Sequence, residues 1–221
     1  MTGKRHLEYN LDLLIPYFLR IVSLLLLAVA FYRRDMLGII ACIITVVISF
    51  IPTILKRDFK ITLPWSLDLL MASALLLHVG GYIFGVYNLI PGYDTITHFF
   101  SSIFVSFMAF VIIYILDEYW EGLRMDTYAM GFVVIIFTMA MGAVWELFEW
   151  AVDSLFGIDL QWGLQDTMMD LLVDSIAGVI MGIVGVSLIK RGKLKEITKD
   201  FGEQVDHTLI HPEGESAEKI R

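Results

Sequence analysis

Residues 166–189 read DTMMDLLVDSIAGVIMGIVGVSLI. From Ser175 to Ile189 no residue carries a charge, and the stretch approaches the roughly 20 apolar residues that a helix needs to cross a bilayer core. Its first half is less ordinary. Asp166, Asp170 and Asp174 recur at i, i+4 and i+8, on one stripe of a helix, each about 6 Å deeper than the last. The segment is at once a membrane span and a place where negative charge enters the membrane.

Five more apolar runs of comparable length lie upstream, at Leu13–Tyr32, Leu37–Leu55, Trp65–Tyr87, Ile96–Leu116 and Tyr128–Val152, with Thr167–Ile189 the sixth. The predicted fold is all-α: a polytopic transmembrane bundle of about six helices over residues 1–189. A short polar cytosolic tail, helical or disordered, follows over 190–221. Composition agrees. The 221 residues are 57% hydrophobic and 18% charged, with mean hydropathy +0.73, against about 45–50% apolar and 25% charged in soluble domains. A net charge of -8 without a basic stripe excludes nucleic acid as a partner, since that affinity rests on neutralising phosphates. The single cysteine, Cys42, cannot form an intrachain disulfide and reads as a small packed or lipid-facing residue. Lys4 and Arg5 ahead of an apolar run ending in Ala28-Val29-Ala30 admit a signal peptide as the alternative for the first run, although Pro16 and Arg20 interrupt it.

Lys and Arg near span ends set orientation. With both termini cytoplasmic, the inner side holds Lys4, Arg5, Lys56, Arg57, Lys60, Arg124, Lys190, Arg191, Lys193 and Lys195, whereas the outer side holds only Arg33 and Arg34. A plasma-membrane protein with both termini inside is therefore expected. Its outer loops Asn88–Thr95 and Asp153–Gln165 carry no cation.

In this orientation the intramembrane ionisable residues converge on the outer half. Asp94 and His98 open the fourth span at i, i+4; Glu146 and Glu149 close the fifth at i, i+3; the three aspartates open the sixth. An ionised Asp at mid-membrane costs about 2.5–3.5 kcal/mol, so three or four uncompensated carboxylates would cost roughly 10 kcal/mol. Protonation, water or a bound cation are the available compensations. Hard oxygens with one imidazole suit Mg²⁺, Mn²⁺ or Ca²⁺, and iron is admissible; zinc more often takes thiolates. His98, Glu146, Glu149, Asp170 and Asp174 form the expected ligand set, with Asp94, Asp166 and Gln165 as supporting groups. Asp94 and Asp166 can equally be helix caps, and Glu149 can reach the headgroups.

Other polar positions read as structural. Asp68 and Arg20 lie at similar depth and are expected to pair. His78 either joins the polar site or bonds a neighbouring group. Gly178, Gly182 and Gly185 allow close helix packing. Trp145, Trp150 and Trp162 at one boundary, and Trp65 and Trp120 at the other, are expected interface anchors. Ser101, Ser102 and Ser175 are expected to bond backbone. The segment Ala151–Leu164, with Gly157 and Gly163, is expected to be a long connection able to act as a lid.

The order Asp94-x-x-x-His98-Phe99, then Trp145-Glu146-x-x-Glu149-Trp150, then Gln165-Asp166-x-x-x-Asp170-x-x-x-Asp174-x-x-x-Gly178 resembles the YjdF-like family of membrane proteins, itself similar to the VanZ-like proteins. The likeness covers the second half of the spans. VanZ-like proteins usually carry Gln where this chain has Glu149 and Asn near Asp174, so this chain is the more acidic. The resemblance implies an integral membrane protein and no particular chemistry.

The residues admit three functions. One is a metal-dependent enzyme acting on a lipid or lipid-linked phosphate, with Glu146 or Asp170 as general base and His98 as ligand or proton donor. The second is a proton- or cation-coupled carrier, against which stand the lack of a charged stripe to the inner face and of an inverted repeat. The third is a non-catalytic envelope protein with a structural cation.

Overall fold

The computed structural model describes the backbone of residues 2–211 and side chains from Leu14 to His211. Residues 212–221 of the expected tail, and the side chains of Lys4 and Arg5, lie outside the described residues. The described elements are all helical: α1 Thr2–Arg33, α2 Met36–Ser49, α3 Ile51–Asp58, α4 Trp65–Ile83, α5 Val86–Leu89, α6 Tyr93–Tyr119, α7 Thr127–Phe156, α8 Leu164–Lys190 and α9 Lys193–Val205, followed by a π-helical turn at Asp206–Ile210. Six segments are long and apolar enough to cross a membrane, with α2 and α3 together making the second. Pro52 in the first turn of α3 explains that junction, since its ring cannot continue the preceding helix past Phe50.

Contacts divide the chain into two compact units, Met1–Tyr93 and Asp94–Arg221. In the first, Leu26, Ala30, Ile39, Cys42, Val79 and Ile83 form a buried cluster joining α1, α2 and α4, so Cys42 is a packed residue. Asp35 caps α2 by accepting from Gly38 N–H at 3.0 Å. The expected Arg20–Asp68 pair is present: the guanidinium is 2% exposed, donates to the Asp68 carboxylate, and gives Nε–H to the Ser49 carbonyl at 2.7 Å. His78 Nδ1 lies 2.8 Å from the Tyr87 hydroxyl, both in this unit.

In the second unit the seam between α7 and α8 is built from glycines. A Cβ on Gly131 would lie 3.2 Å from the Gly182 carbonyl oxygen, one on Gly182 3.1 Å from that of Gly131, and one on Gly178 3.1 Å from Thr138 Cβ. Backbones can meet this closely only where side chains are absent. Gly185 on α8 receives the Phe110 ring of α6, 2.3 Å from where a Cβ would sit. Helix α9 buries Leu194, Thr198 and Gly202, packs Gly202 against the Tyr119 ring, and joins α6 through Lys195 Nζ and Glu118 at 2.8 Å.

One expectation is corrected. The connection after the fifth span is not a 14-residue lid from Ala151 to Leu164: α7 continues to Phe156 and stops at Gly157, whose φ of 66° suits a left-handed C-cap, leaving residues 157–163 as the link. Asp153 explains this, because its carboxylate stays in the helix and accepts the backbone N–H groups of Leu160 and Gln161, both at 2.8 Å. The chain is drawn back against the helix end rather than left as a long loop.

Removing Arg20 strands the Asp68 carboxylate among apolar neighbours. Arg20→Met is expected to destabilise the detergent-solubilised protein by roughly 3 kcal/mol, with Arg20→Met/Asp68→Leu recovering most of it. Thermal unfolding in one detergent checks both, and an Arg20→Met variant as stable as the parent would show that the pair is not desolvated.

Candidate functional site

Helix α6 carries Asp94, His98, Ser102 and Ser106 four residues apart, on one face. Helix α7 presents Glu146 and Glu149, and α8 presents Asp170 and Asp174. These side chains meet. His98, Glu146, Glu149, Asp170 and Asp174 are all buried, the two aspartates to 1% exposure, and Asp94 is partly covered.

The imidazole is the hub. His98 Nδ1 lies 3.4 Å from Asp174 Oδ2, and Ser102 Oγ donates to Asp174 Oδ1 at 2.7 Å. Asp174 is thereby anchored and in turn orients the ring. A proton on Nδ1, directed at Asp174, leaves the Nε2 lone pair pointing away, 3.8 Å from Glu146 Oε1 and 4.0 Å from Asp94 Oδ1. Glu149 Oε1 accepts the indole N–H of Trp145 at 2.9 Å, and Glu146 Oε2 accepts from Gln161 Nε2 at 3.3 Å. Two carboxylate oxygens, Glu146 Oε1 and Asp170 Oδ1, are buried without a hydrogen-bond partner. Two sets of donor atoms lie within 4.8 Å of one another: Asp94, His98 and Asp170, and His98, Glu146 and Glu149. A buried acceptor with no donor is costly, and several together form an environment that a cation would stabilise.

The expected ligands take different positions in this arrangement. His98, Glu146, Glu149 and Asp170 fall within the two donor sets, and so does Asp94, which the sequence placed among the supporting groups. Asp174 faces Ser102 and the far nitrogen of His98. Asp166 accepts the backbone N–H of Trp162 at 3.2 Å, and Gln165 is exposed on the first turn of α8.

Several contributors escaped sequence reasoning. Ser102, expected to bond backbone, donates to Asp174 instead; its i+4 distance from His98 was the available signal. Ser106 and Thr138 do bond backbone carbonyls, and also each other at 2.8 Å. Gln161 and Asp153 act through a connection that has no periodicity to read. Trp145 is half-exposed like an interface anchor but also holds Glu149.

A family model described as "Predicted membrane protein (DUF2238)" matches residues 15–191, which include all six membrane-length segments almost completely. This accords with the YjdF-like resemblance; the VanZ-like similarity rests on the motif alone. A protein of Thermotoga maritima described as uncharacterised is 27% identical over 128 residues, 57% of this chain and 65% of the relative, so the chain spans just under two thirds of that protein. No solved structure matches.

Close approach of α7 to α8 sets the position of Asp174. A Cβ on Gly142 would lie 2.2 Å from Asp174 Oδ2 and 3.1 Å from Asp174 Cβ, so Gly142→Ala must displace the carboxylate from Ser102. A loss of about 1–3 kcal/mol is expected from this overpacking. Gly80→Ala, where the nearest atom is Leu26 Cδ1 at 3.9 Å, should change stability by less than about 0.5 kcal/mol. Parallel melting curves of the two variants check the contrast, and equal curves would mean that Asp174 does not press on Gly142.

Proposed function

The chain belongs to the DUF2238 family of predicted membrane proteins, and we propose that it is a multi-pass plasma-membrane protein that holds divalent cation between its last three spans and uses it on a lipid or lipid-linked phosphate. Both termini are cytoplasmic in this reading, because Lys and Arg concentrate on that side. The site then lies in the outer half of the membrane, at the depth of a lipid headgroup.

The observation that carries this reading is the pair of buried, unpartnered oxygens on Glu146 and Asp170 beside a histidine whose other nitrogen Asp174 holds. The protein has arranged acceptors and, among the described residues, pairs no lysine or arginine with them. Asp94, His98, Glu146, Glu149 and Asp170 would hold the ion. Oxygen donors with one imidazole favour Mg²⁺, Mn²⁺ or Ca²⁺ over zinc, and the one cysteine is packed in an apolar cluster of the first unit. A bound divalent ion supplies a Lewis acid for a phosphoryl oxygen and a water of lowered pKa. Glu146 or Asp170 would serve as general base toward that water. A proton on Nδ1 directed at Asp174 would leave Nε2 to ligate, which favours a ligand role for the ring over a proton-donor role.

An enzyme fits better than a carrier because the polar stripe of α6 stops. Asp94, His98, Ser102 and Ser106 are followed four residues on by Phe110, which is seated on Gly185 and, like Val111 and Val134, is fully buried. This apolar layer favours a site open to one side over a relay continuing across the membrane.

Full-length protein purified in nanodiscs is expected to retain a divalent metal by elemental analysis and to lose thermal stability on chelation. Glu146→Gln and Asp170→Asn should each lower metal affinity at least tenfold. Release of phosphate from a panel of phospholipid and polyprenyl phosphates should require the same residues. Metal retained without any turnover would instead support the structural-cation reading, and unchanged metal content in both variants would remove the metal site.

A further inference from the structure

We propose that the site is built for two divalent cations. This rests on the cation reading above and deepens it by specifying how many ions the chain holds. Three independent features lead there.

The first is the division of the donors. The two donor sets share only His98: Asp94 and Asp170 belong to one, Glu146 and Glu149 to the other. With Nδ1 turned to Asp174, His98 has one lone pair to offer, and one lone pair serves one ion. Nε2 stands between the sets, 4.0 Å from Asp94 Oδ1 and 3.8 Å from Glu146 Oε1. One ion therefore takes the imidazole with carboxylates, and the other is held by oxygens alone, a set that hard divalent ions accept.

The second is the placement of the unsatisfied atoms. The two residues with a buried, unpartnered carboxylate oxygen divide between the sets, Asp170 to the first and Glu146 to the second. One ion at the Asp94 side would satisfy Asp170 and leave the second set short, and the reverse holds for one ion at the Glu149 side. Each set has its own unfilled acceptor.

The third is charge. Asp94, Glu146, Glu149 and Asp170 bring four negative charges into the donor sets, around a histidine that is neutral when it ligates. A single divalent ion offsets half of them and leaves the remainder in a low-dielectric setting; two offset all four. The fifth carboxylate, Asp174, is compensated separately by the Ser102 hydroxyl and the His98 ring. The protein's own hydrogen bonds and two added ions thus account for every acid. Paired ions about 3.5–4 Å apart also suit a phosphate group, which can bridge them.

The test uses the full chain in nanodiscs, loaded with Mn²⁺ and freed of unbound metal. About two Mn²⁺ per chain are expected, with the broadened, spin-coupled resonance of a close pair in place of the six-line spectrum of an isolated ion. Asp94→Asn and Glu149→Gln, each removing one donor from a different set, are expected to bring the count to about one and restore the six-line signal. One ion per chain in the parent protein, falling to none in either variant, overturns the two-ion site and leaves the single-cation reading standing. No retained Mn²⁺ overturns both. Two ions with uncoupled spectra also overturn the proposal, because they would lie apart. The spectrum of the parent protein decides the matter even if a variant fails to fold.

Discussion

The structure depends on how negative charge is accommodated among apolar helices. An ionised carboxylate removed from water needs a cation, a donor or a proton, and this chain places five around one imidazole on α6, α7 and α8. Their mutual repulsion would drive the helices apart were nothing to offset it. Packing in this unit and the chemistry of its site are therefore one problem.

The two units solve the same problem differently. In the first, Asp68 faces a buried arginine that is itself braced by the Ser49 carbonyl, so the acid and its counter-charge come from one chain and close the account. In the second, the acids meet a histidine, a serine, a tryptophan N–H and a glutamine amide, which are donors weaker than a guanidinium and fewer than the available oxygens. An internally neutral pair is what a structural ion pair looks like. A surplus of acceptors around a single ring is an arrangement that a bound cation would offset.

Geometry enforces this surplus. The α7–α8 seam runs through Gly131, Gly142, Gly178 and Gly182, and without Cβ atoms at these positions the two backbones come close enough for Glu146 and Asp170 to approach the same imidazole. Gly142 in particular makes room for the Asp174 carboxylate that orients His98. On the far side of Ser106 and Thr138, Phe110 on Gly185 closes the polar region with an apolar layer. At the other end, Asp153 draws residues 160 and 161 back over α7, so that Gln161 reaches Glu146. The link is a brace for the site rather than a free lid.

The spans, their number and the polar stripes were legible in the sequence, because hydropathy over about 20 residues and i, i+4 spacing are local properties that a helix conserves. The Arg20–Asp68 pair was also legible, since two lone charges at matching depth have few other partners. What needed tertiary structure was the division of labour among the acids. Spacing cannot distinguish Asp170, which keeps an unpartnered oxygen, from Asp174, one turn away on the same stripe, which is taken up by Ser102 and His98. Nor can it show that Asp94 stands within reach of Asp170 while Asp166 turns to a backbone amide. Those distinctions arise from the rotation of one helix against another and from a seven-residue link, quantities set by glycine contacts and caps distant in sequence from the carboxylates they position.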